Sequence, residues 1–336
     1  MVTSGRPTPA PPVRQTGPMA IVALEARHIA DAARLVADDV VALRQTLPVL
    51  PDAWEDPATI AQAVARLVER GAGLAVEDDG ELVAFQAAIT LDGHGGRWAY
   101  TPDIGHAAPG PLGTRLRERL YAELAPAWLR AACPEHAITI HALDVEVQAV
   151  MARLGFGQYV IDLVGRLDPL DPGPLPDGVV VRRAGPPDAV AVAELDGALR
   201  RHLAASPVFL RPGPALSPEV TRRELDDPAV ATLLAERDGR AVGHLRMGPC
   251  AGDVAMVVRD PSTASVTAAF TREELRGTGI ATHLLDAALA WARDAGYARW
   301  AVDHESANRE AGRFWARHAT PAAVSMSRRL PPGLAV

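Results

Sequence analysis

The segment Arg276-Gly277-Thr278-Gly279-Ile280-Ala281 joins a stretch rich in Val, Thr and Phe, residues 265–271, to a run with helical apolar spacing from Ile280 to about Ala295. The pattern predicts a strand, a glycine-bearing turn and a long helix. Unpaired N–H groups at a helix N-terminus bind phosphate or pyrophosphate, glycine leaves the approach open, and Arg276 adds a positive charge. The turn therefore predicts a phosphate-bearing cofactor.

The residues after this helix predict three further features. Gly296 supplies a C-terminal stop, Arg299–Glu305 is predicted as a strand, and Asn308–Arg317 as the next helix.

Composition limits the possible functions. The 336 residues suit two domains, and no apolar run approaches the ~20 residues of a membrane span. The net charge of −7 argues against nucleic acid as the main partner. All 34 basic residues are Arg, which excludes a Schiff-base lysine and a Walker-type loop, although codon bias in a GC-rich genome explains the same absence. No metal site is predicted.

The cysteines and the N-terminus bear on the compartment. Cys133 and Cys250 are the only cysteines, which cannot form a disulfide framework and suit a reducing cytoplasm. Residues 1–18 are rich in Pro, Thr and Gly without an apolar signal core, so we expect a disordered tail and not a secretory signal. The predicted location is cytoplasmic.

The chain reads as a tandem repeat. Residues 171–177 (Asp-Pro-Gly-Pro-Leu-Pro-Asp) form a helix-breaking linker, and residues 74–84 and 233–243 each read as a hairpin with an Asp-Gly turn. The two turns are 159 positions apart, and so are Asp144 and Asp303. The predicted organisation is a tail (1–18), a first unit (19–170), a linker (171–177) and a second unit (178–331).

The order of these motifs resembles the GNAT superfamily of acetyl-CoA-dependent N-acetyltransferases. The resemblance rests on the 265–271 strand, the Arg-x-x-Gly-x-Ala turn, the 299–305 strand and the block Asn-x-x-Ala-x-x-Phe-Trp at 308–315. It covers residues 178–330 well and 19–168 as a degenerate copy, a plan similar to that of mycothiol synthase. It implies two tandem α/β domains, each with a mostly antiparallel sheet flanked by helices.

The resemblance also implies a coenzyme A site in the second unit. The turn amides would bind the pyrophosphate, the end of the 265–271 strand would pair with the pantetheine arm, and Asn308 would lie near that arm. The residues expected to bind acetyl-CoA are Phe270, Thr271, Arg276, Gly277, Thr278, Gly279, Ile280, Ala281, Thr282, Asn308, Phe314 and Trp315.

The first unit is expected to have lost this site. Aligning Leu112–Leu116 with Ile280–Leu284 places Pro111 at Gly279 and Pro109 at Gly277. Because proline has no N–H to offer a phosphate, we predict that this unit does not bind coenzyme A in the standard way. It would serve as a scaffold or as one wall of the acceptor cleft.

The candidate catalytic residues are Asp303, His304 and Glu305 at the end of the predicted strand. Asp303 and Glu305 share one face and His304 the other, so either carboxylate or the imidazole could act as base. A structural role is equally open, because Asp144 and Glu146 lie at the same offset in the unit without a site. Trp315 stands where many relatives carry a tyrosine whose hydroxyl can protonate the leaving thiolate. Because tryptophan has no hydroxyl, the general acid would be Ser306, a water or no group at all.

The acceptor is less constrained by the sequence. Arg200, Arg201 and His202 lie where this family often borders its acceptor, or they are simply a solvated face. We predict acetyl transfer to a primary amine of a small molecule, by a monomer or homodimer that binds neither nucleic acid nor membrane. The alternatives are a protein or peptide amine, a longer acyl chain, and a non-catalytic acyl-CoA sensor.

Overall fold

The computed structural model describes residues 19–331 and 334, apart from 94, 95, 212, 214, 215, 251 and 253. The tail expected at residues 1–18 lies outside the described residues. Among the described residues, no helix combines the length and the apolar character needed to cross a membrane.

The described chain contains the same succession of elements twice. The first unit consists of β1 (Ala20–Ala23), α1 (Ile29–Thr46), α2 (Pro57–Arg70), β2 (Gly71–Asp78), β3 (Glu81–Gly93), β4 (Gly96–Thr101), β5 (His106–Ala107), α3 (Gly113–Arg130), β6 (Glu135–His141), α4 (Val145–Arg153) and β7 (Gly157–Arg166). The second consists of β8 (Val179–Arg183), α5 (Ala189–Ala204), α6 (Pro218–Asp226), β9 (Ala231–Arg237), β10 (Arg240–Pro249), β11 (Thr263–Thr271), α7 (Ile280–Asp294), β12 (Arg299–Glu305), α8 (Arg309–Trp315) and β13 (Thr320–Arg329).

Local sequence explains most of these boundaries. Both Asp-Gly turns have positive φ at the two central residues, 51° and 84° in the first unit and 51° and 76° in the second, as a tight hairpin requires. The apolar spacing of α7 puts Ile280, Leu284 and Ala288 into the core. The helix predicted over 308–317 is shorter, because Asn308 is its N-cap and it ends at Trp315.

All thirteen strands form one mixed sheet, which confirms the predicted α/β class with a mostly antiparallel sheet. The strand order is β1-β2-β3-β4-β6-β13-β7-β12-β11-β10-β9-β8, and β5 pairs with β3. Among the strand pairs of the described residues, only β4 with β6 and β11 with β12 run parallel.

The last strand of each unit is exchanged with the other unit. β7 of the first unit pairs with β12, and β13 of the second unit pairs with β6, while β7 and β13 pair antiparallel with each other. The sequence predicted a final strand within each unit and did not predict this exchange. The consequence is that each unit completes the other's sheet.

The structure corrects the predicted repeat spacing. The hairpin turns are 159 positions apart, but β6 begins at Glu135 and β12 at Arg299, an offset of 164. Asp144 is the N-cap of α4 and Asn308 the N-cap of α8, so these two residues correspond. The counterpart of Asp303 is therefore Thr139. The equal offset of Asp144 and Asp303 was a coincidence. It therefore no longer supports a purely structural role for Asp303 and Glu305.

Trp300 links the exchanged strand β7 to the second unit through a hydrogen bond. Its indole is fully buried, and Nε1 donates to the carbonyl of Arg166 at 3.0 Å. A Cβ at Gly165 would lie 2.4 Å from that nitrogen, so only glycine fits there.

We therefore expect Gly165→Ala to lower the free energy of unfolding by about 1–3 kcal/mol through overpacking. Gly157→Ala in the same strand is the matched control, because a Cβ there meets nothing within 4 Å; its effect should stay within about 0.5 kcal/mol. Urea denaturation of both variants measures this, and equal losses would contradict the role assigned to the Trp300 contact.

Candidate functional site

The turn before α7 is shaped by two glycines. Gly277 and Gly279 have φ of 75° and 92°, and Gly279 is the N-cap of α7. Side chains other than glycine rarely adopt this conformation. Within the described chain, no acceptor bonds the backbone N–H groups of residues 277–281. Five consecutive free donors make this turn a receptor for an anionic oxygen cluster.

A cavity of about 520 Å³ lies against this turn. Eleven of the twelve residues predicted to bind the cofactor line it, namely Phe270, Thr271, Arg276, Gly277, Gly279, Ile280, Ala281, Thr282, Asn308, Phe314 and Trp315. Thr278 is exposed beside it, and its hydroxyl donates to the carbonyl of Leu275 at 2.7 Å. The cavity also reaches α5 at Leu199 and His202, and β10 at His244.

Arg276 spans the mouth of the cavity. Its Nε donates to the carbonyl of Thr271 at 3.2 Å, and its Nη1 pairs with Glu310 at 2.5 Å. The guanidinium lies 5.7 Å from the centre of the Phe270 ring. A cation is thus held beside the free amides, with an exposed carboxylate as its partner.

Two residues on the α8 side of the cavity already have structural roles. Asn308 accepts a hydrogen bond from the N–H of Ala311 at 3.1 Å as the helix cap, so only its amide NH₂ is left for a ligand. Trp315 is buried between Trp300 and Phe314, with ring centres 5.9 and 4.7 Å away.

The parallel strands β11 and β12 separate beside the cavity. Their pairing ends at Val266 and Val302, and β11 carries one extra residue, Thr267, opposite the Arg246–Met247 step of β10. Thr267 is exposed. Beyond Val266, no strand of the described residues pairs with β11 on the side of the wedge, so its backbone can pair with an extended ligand.

The three predicted catalytic residues do not line the cavity. His304 is buried, with Nδ1 2.9 Å from the carbonyl of Glu305, and a Cβ on Gly312 of α8 would lie 3.1 Å from its ring. Asp303 and Glu305 are half-buried and pair along the backbone with Asp162 and Val160 of β7. The Ser306 hydroxyl donates to the carbonyl of Gln158 at 2.7 Å.

Asp162 of β7 is a buried carboxyl directly opposite Asp303. Desolvation raises its pKa to about 7, with a further rise from the charges of Asp303 and Asp103. The N–H of Ala255 donates to it at 2.9 Å and limits the rise.

A buried polar pair that the sequence analysis missed lies on the opposite side of the cavity. His244 of β10 is fully buried, and its Nε2 is 3.0 Å from Oδ1 of Asp196 in α5. Arg246 donates to the other oxygen of Asp196 at 2.5 Å. The signal was present, because Asp196 and His244 each interrupt an apolar face of a predicted element, but 48 residues separate them.

The three predicted acceptor residues lie in the last turns of α5. Only His202 lines the cavity, with Nε2 4.0 Å from Glu310. Arg201 is exposed, and Arg200 is half-buried outside the cavity lining.

The first unit has a different structure at the corresponding turn. α3 has 18 residues against 15 in α7, and with the 164 offset its buried positions Leu116 and Leu120 match Ile280 and Leu284. The extra residues lie at the N-terminus. Gly113 and Arg115, not Pro109 and Pro111, therefore correspond to Gly277 and Gly279, and they are helical.

Two large side chains also fill the wedge of the first unit. By strand register and helix alignment, His106 stands at the position of Ala269, and Arg117 at that of Ala281. Both are buried, and Arg117 donates to Nδ1 of His106, whose Nε2 is 2.9 Å from the carbonyl of Thr139 in β6. Burial and the Arg117 charge hold the pKa of His106 well below its usual range.

Comparison with known proteins gives a consistent result. The model of the acetyltransferase (GNAT) family matches residues 198–319. No protein of established annotation has a significantly similar sequence.

Three solved structures are similar in fold. A GCN5-related N-acetyltransferase from Sphaerobacter thermophilus is 20% identical, with 95% of this chain and 98% of that chain covered and a TM-score of 0.59. A tandem GNAT protein from the clavulanic acid biosynthesis pathway is 16% identical, with 94% and 100% covered and a TM-score of 0.51. The glucosamine N-acetyltransferase region of a fungal multi-domain β-N-acetylglucosaminidase is 12% identical, with 92% and 38% covered and a TM-score of 0.53. At these identities the likeness shows the fold.

The raised pKa of Asp162 makes stability depend on pH. A carboxyl titrating near 7 in the folded state and about 4 when unfolded contributes stability that is full below pH 4 and lost as pH rises through 7. Asp162→Asn keeps an acceptor for Ala255 and removes this loss. We expect the variant to unfold at a free energy about 2–4 kcal/mol above the wild type at pH 8, with the difference shrinking at pH 5. Urea denaturation at both pH values measures it; Asp168→Asn, at an exposed position, should not reproduce the effect.

Proposed function

We propose that the chain is an acyltransferase, with a GNAT-family domain in a tandem GNAT fold, that transfers an acetyl group from acetyl-CoA to a primary amine of a small molecule. The single site would lie in the second unit. The observation that carries the proposal is the run of five free N–H groups at residues 277–281 on the wall of the 520 Å³ cavity.

The residues present fit coenzyme A. The free amides and Arg276 would hold the pyrophosphate, and the unpaired edge of β11 beyond Val266 would hold the pantetheine arm as an added strand. Phe314 and Asn308 would flank that arm. Acetyl-CoA supplies the activated acetyl thioester.

The amine acceptor is proposed from the match to the GNAT family and not from charge. Glu310 is paired with Arg276, and Arg313 and Arg317 also line the cavity, so the charges of the lining do not select a cation. The backbone of β11 at the wedge offers N–H groups to the oxyanion that forms at the carbonyl. An amine near pKa ~10 must lose a proton before it can react, so transfer requires a proton acceptor.

A small molecule is the favoured acceptor on two grounds. The cavity is closed on one side by α5 and on another by α8, which leaves a limited space beside the wedge. Among proteins of similar fold, one region acts on glucosamine and another protein belongs to the clavulanic acid pathway.

The first unit is proposed to act as a scaffold without its own coenzyme A site. Its extended helix α3 and the His106–Arg117 pair take up the space that the second unit leaves open.

A second candidate is a non-catalytic acyl-CoA sensor. Trp315 carries no hydroxyl to protonate a leaving thiolate, and Asp303 to Glu305 lie outside the cavity lining. Such a protein would bind acetyl-CoA and turn over no amine.

Calorimetry followed by an amine panel tests the proposal. We expect one acetyl-CoA per chain and release of CoA thiol with at least one small primary amine. Gly279→Ala should weaken binding by tenfold or more, whereas Gly296→Ala, equally strained at φ 85° but distant from the cavity, should not. Binding without turnover across the panel would favour the sensor. Two sites, or equal binding by both variants, would contradict the assigned turn.

Copying His106 and Arg117 of the first unit into the second unit tests why only the second unit has an open wedge. The double variant Ala269→His/Ala281→Arg copies the first unit's pair into the second, so we expect at least a hundredfold loss of acetyl-CoA affinity with an unchanged far-UV circular dichroism spectrum. Asp294→Arg, at the exposed far end of α7, controls for the added charge. Unchanged affinity of the double variant would show that volume at these positions is not what closes the first unit.

A further inference from the structure

We propose that His244 is the general base of this reaction and that Asp196 positions it, an inference that rests on the proposed function. The assignment replaces Asp303, His304 and Glu305, none of which lines the cavity.

His244 lies next to the strand that is expected to hold the pantetheine arm. It pairs along the backbone with Phe270 on the strand expected to hold the pantetheine arm, and it lines the same cavity as Leu199 and His202. It therefore lies on the α5 side of the wedge, where an acceptor can enter without crossing the pyrophosphate turn.

One ring nitrogen of His244 has a hydrogen-bond partner and the other does not. Nε2 is bonded to Asp196, while Nδ1 is buried and has no hydrogen-bond partner among the described residues. An unpartnered buried nitrogen is costly. His141, His283 and His318 each carry one as well, and His244 differs from them in lining the cavity. A ligand that donates a proton to Nδ1 would satisfy it.

Asp196 determines which ring nitrogen of His244 carries the proton. Burial alone would raise the pKa of Asp196, but the hydrogen bond from His244 and the hydrogen bond and charge of Arg246 outweigh burial and lower it. The carboxylate is therefore ionised and accepts the Nε2 proton, which leaves the lone pair on Nδ1. Arg246 holds the second carboxylate oxygen and fixes its direction.

The charge around the ring is mixed. The titratable and charged groups on the elements that face it are Asp196 and His202 of α5, Arg246 of its own strand, Glu224 of α6, Arg276 before α7, Glu310 and Arg313 of α8, and Arg317 after α8.

The proton balance follows from this arrangement. His244 Nδ1 takes one proton from the incoming ammonium, directly or through one water, and later releases it to solvent. The freed nitrogen attacks the acetyl carbon, so a C–N bond forms and the C–S bond breaks. The second proton lost by the nitrogen passes to the sulfur, which leaves as the CoA thiol.

The test compares two nucleophiles in His244→Gln. An alkyl amine arrives protonated at neutral pH and needs a base, whereas hydroxylamine is already unprotonated. We expect kcat for the best amine of the panel to fall by about 10²–10⁴ with an unchanged KM for acetyl-CoA, and the fall for hydroxylamine to be at least tenfold smaller. The decline of kcat/KM toward acid pH in the wild type should disappear in the variant.

The controls separate a base from a structural pair. His136→Gln removes an equally buried histidine of the first unit and should leave both rates unchanged. Equal losses with both nucleophiles, or a retained acid decline, would overturn the base and leave the proposed function intact. A wild type that binds acetyl-CoA but acetylates neither nucleophile would overturn the proposed function and the base with it.

A second measurement does not depend on activity or on the stability of a variant. ¹⁵N NMR of the wild-type imidazoles, assigned with Asp196→Asn, should show His244 with its proton on Nε2 alone at neutral pH. A ring protonated on both nitrogens, or on Nδ1 alone, has no lone pair at Nδ1 and would overturn the proposal.

Discussion

The pairing of β7 with β13 is the interaction on which the rest of the structure depends. Because each strand completes the other unit's sheet, β12 is held on one side by a strand of the first unit. The wedge between β11 and β12 opens only if β12 stays fixed while β11 diverges after Val266. The geometry of the proposed site in the second unit is therefore supported by the first.

The two wedges differ through the volume of two residues. Alanine at 269 and 281 leaves a cavity beside the turn, whereas histidine and arginine at 106 and 117 meet inside the other wedge and bridge to β6. An arginine buried in this way keeps a hydrogen-bond partner, so the filling is tolerated. The same topology thus gives one open and one closed unit without a change of fold.

The sequence predicted what depends on neighbouring residues. The hairpins, α7, the β12 boundaries and the phosphate-binding turn each follow from spacing and glycine position within a short segment. The strand exchange could not be predicted, because it pairs segments more than 130 residues apart whose apolar patterns suit either unit. The counterpart of Asp303 was wrong because the repeat offset changes between the hairpin and β6. Residues 250–262 connect β10 to β11, whereas only residues 94 and 95 lie between β3 and β4, and the interruption of the first unit's strand at residues 102–105 offsets only part of this difference.

The interruption at residues 102–105 also gives the first unit a structural role. Asp103, which lies in it, accepts hydrogen bonds from the N–H groups of Met256 and Val257, and Asp162 accepts one from Ala255. Three donors of the second unit's 254–258 segment are thus satisfied by carboxylates of the first. Removing the first unit would leave these donors unpaired and strip β12 of its neighbour. The first unit therefore satisfies backbone groups of the second unit and supplies the strand that pairs with β12 at the open wedge.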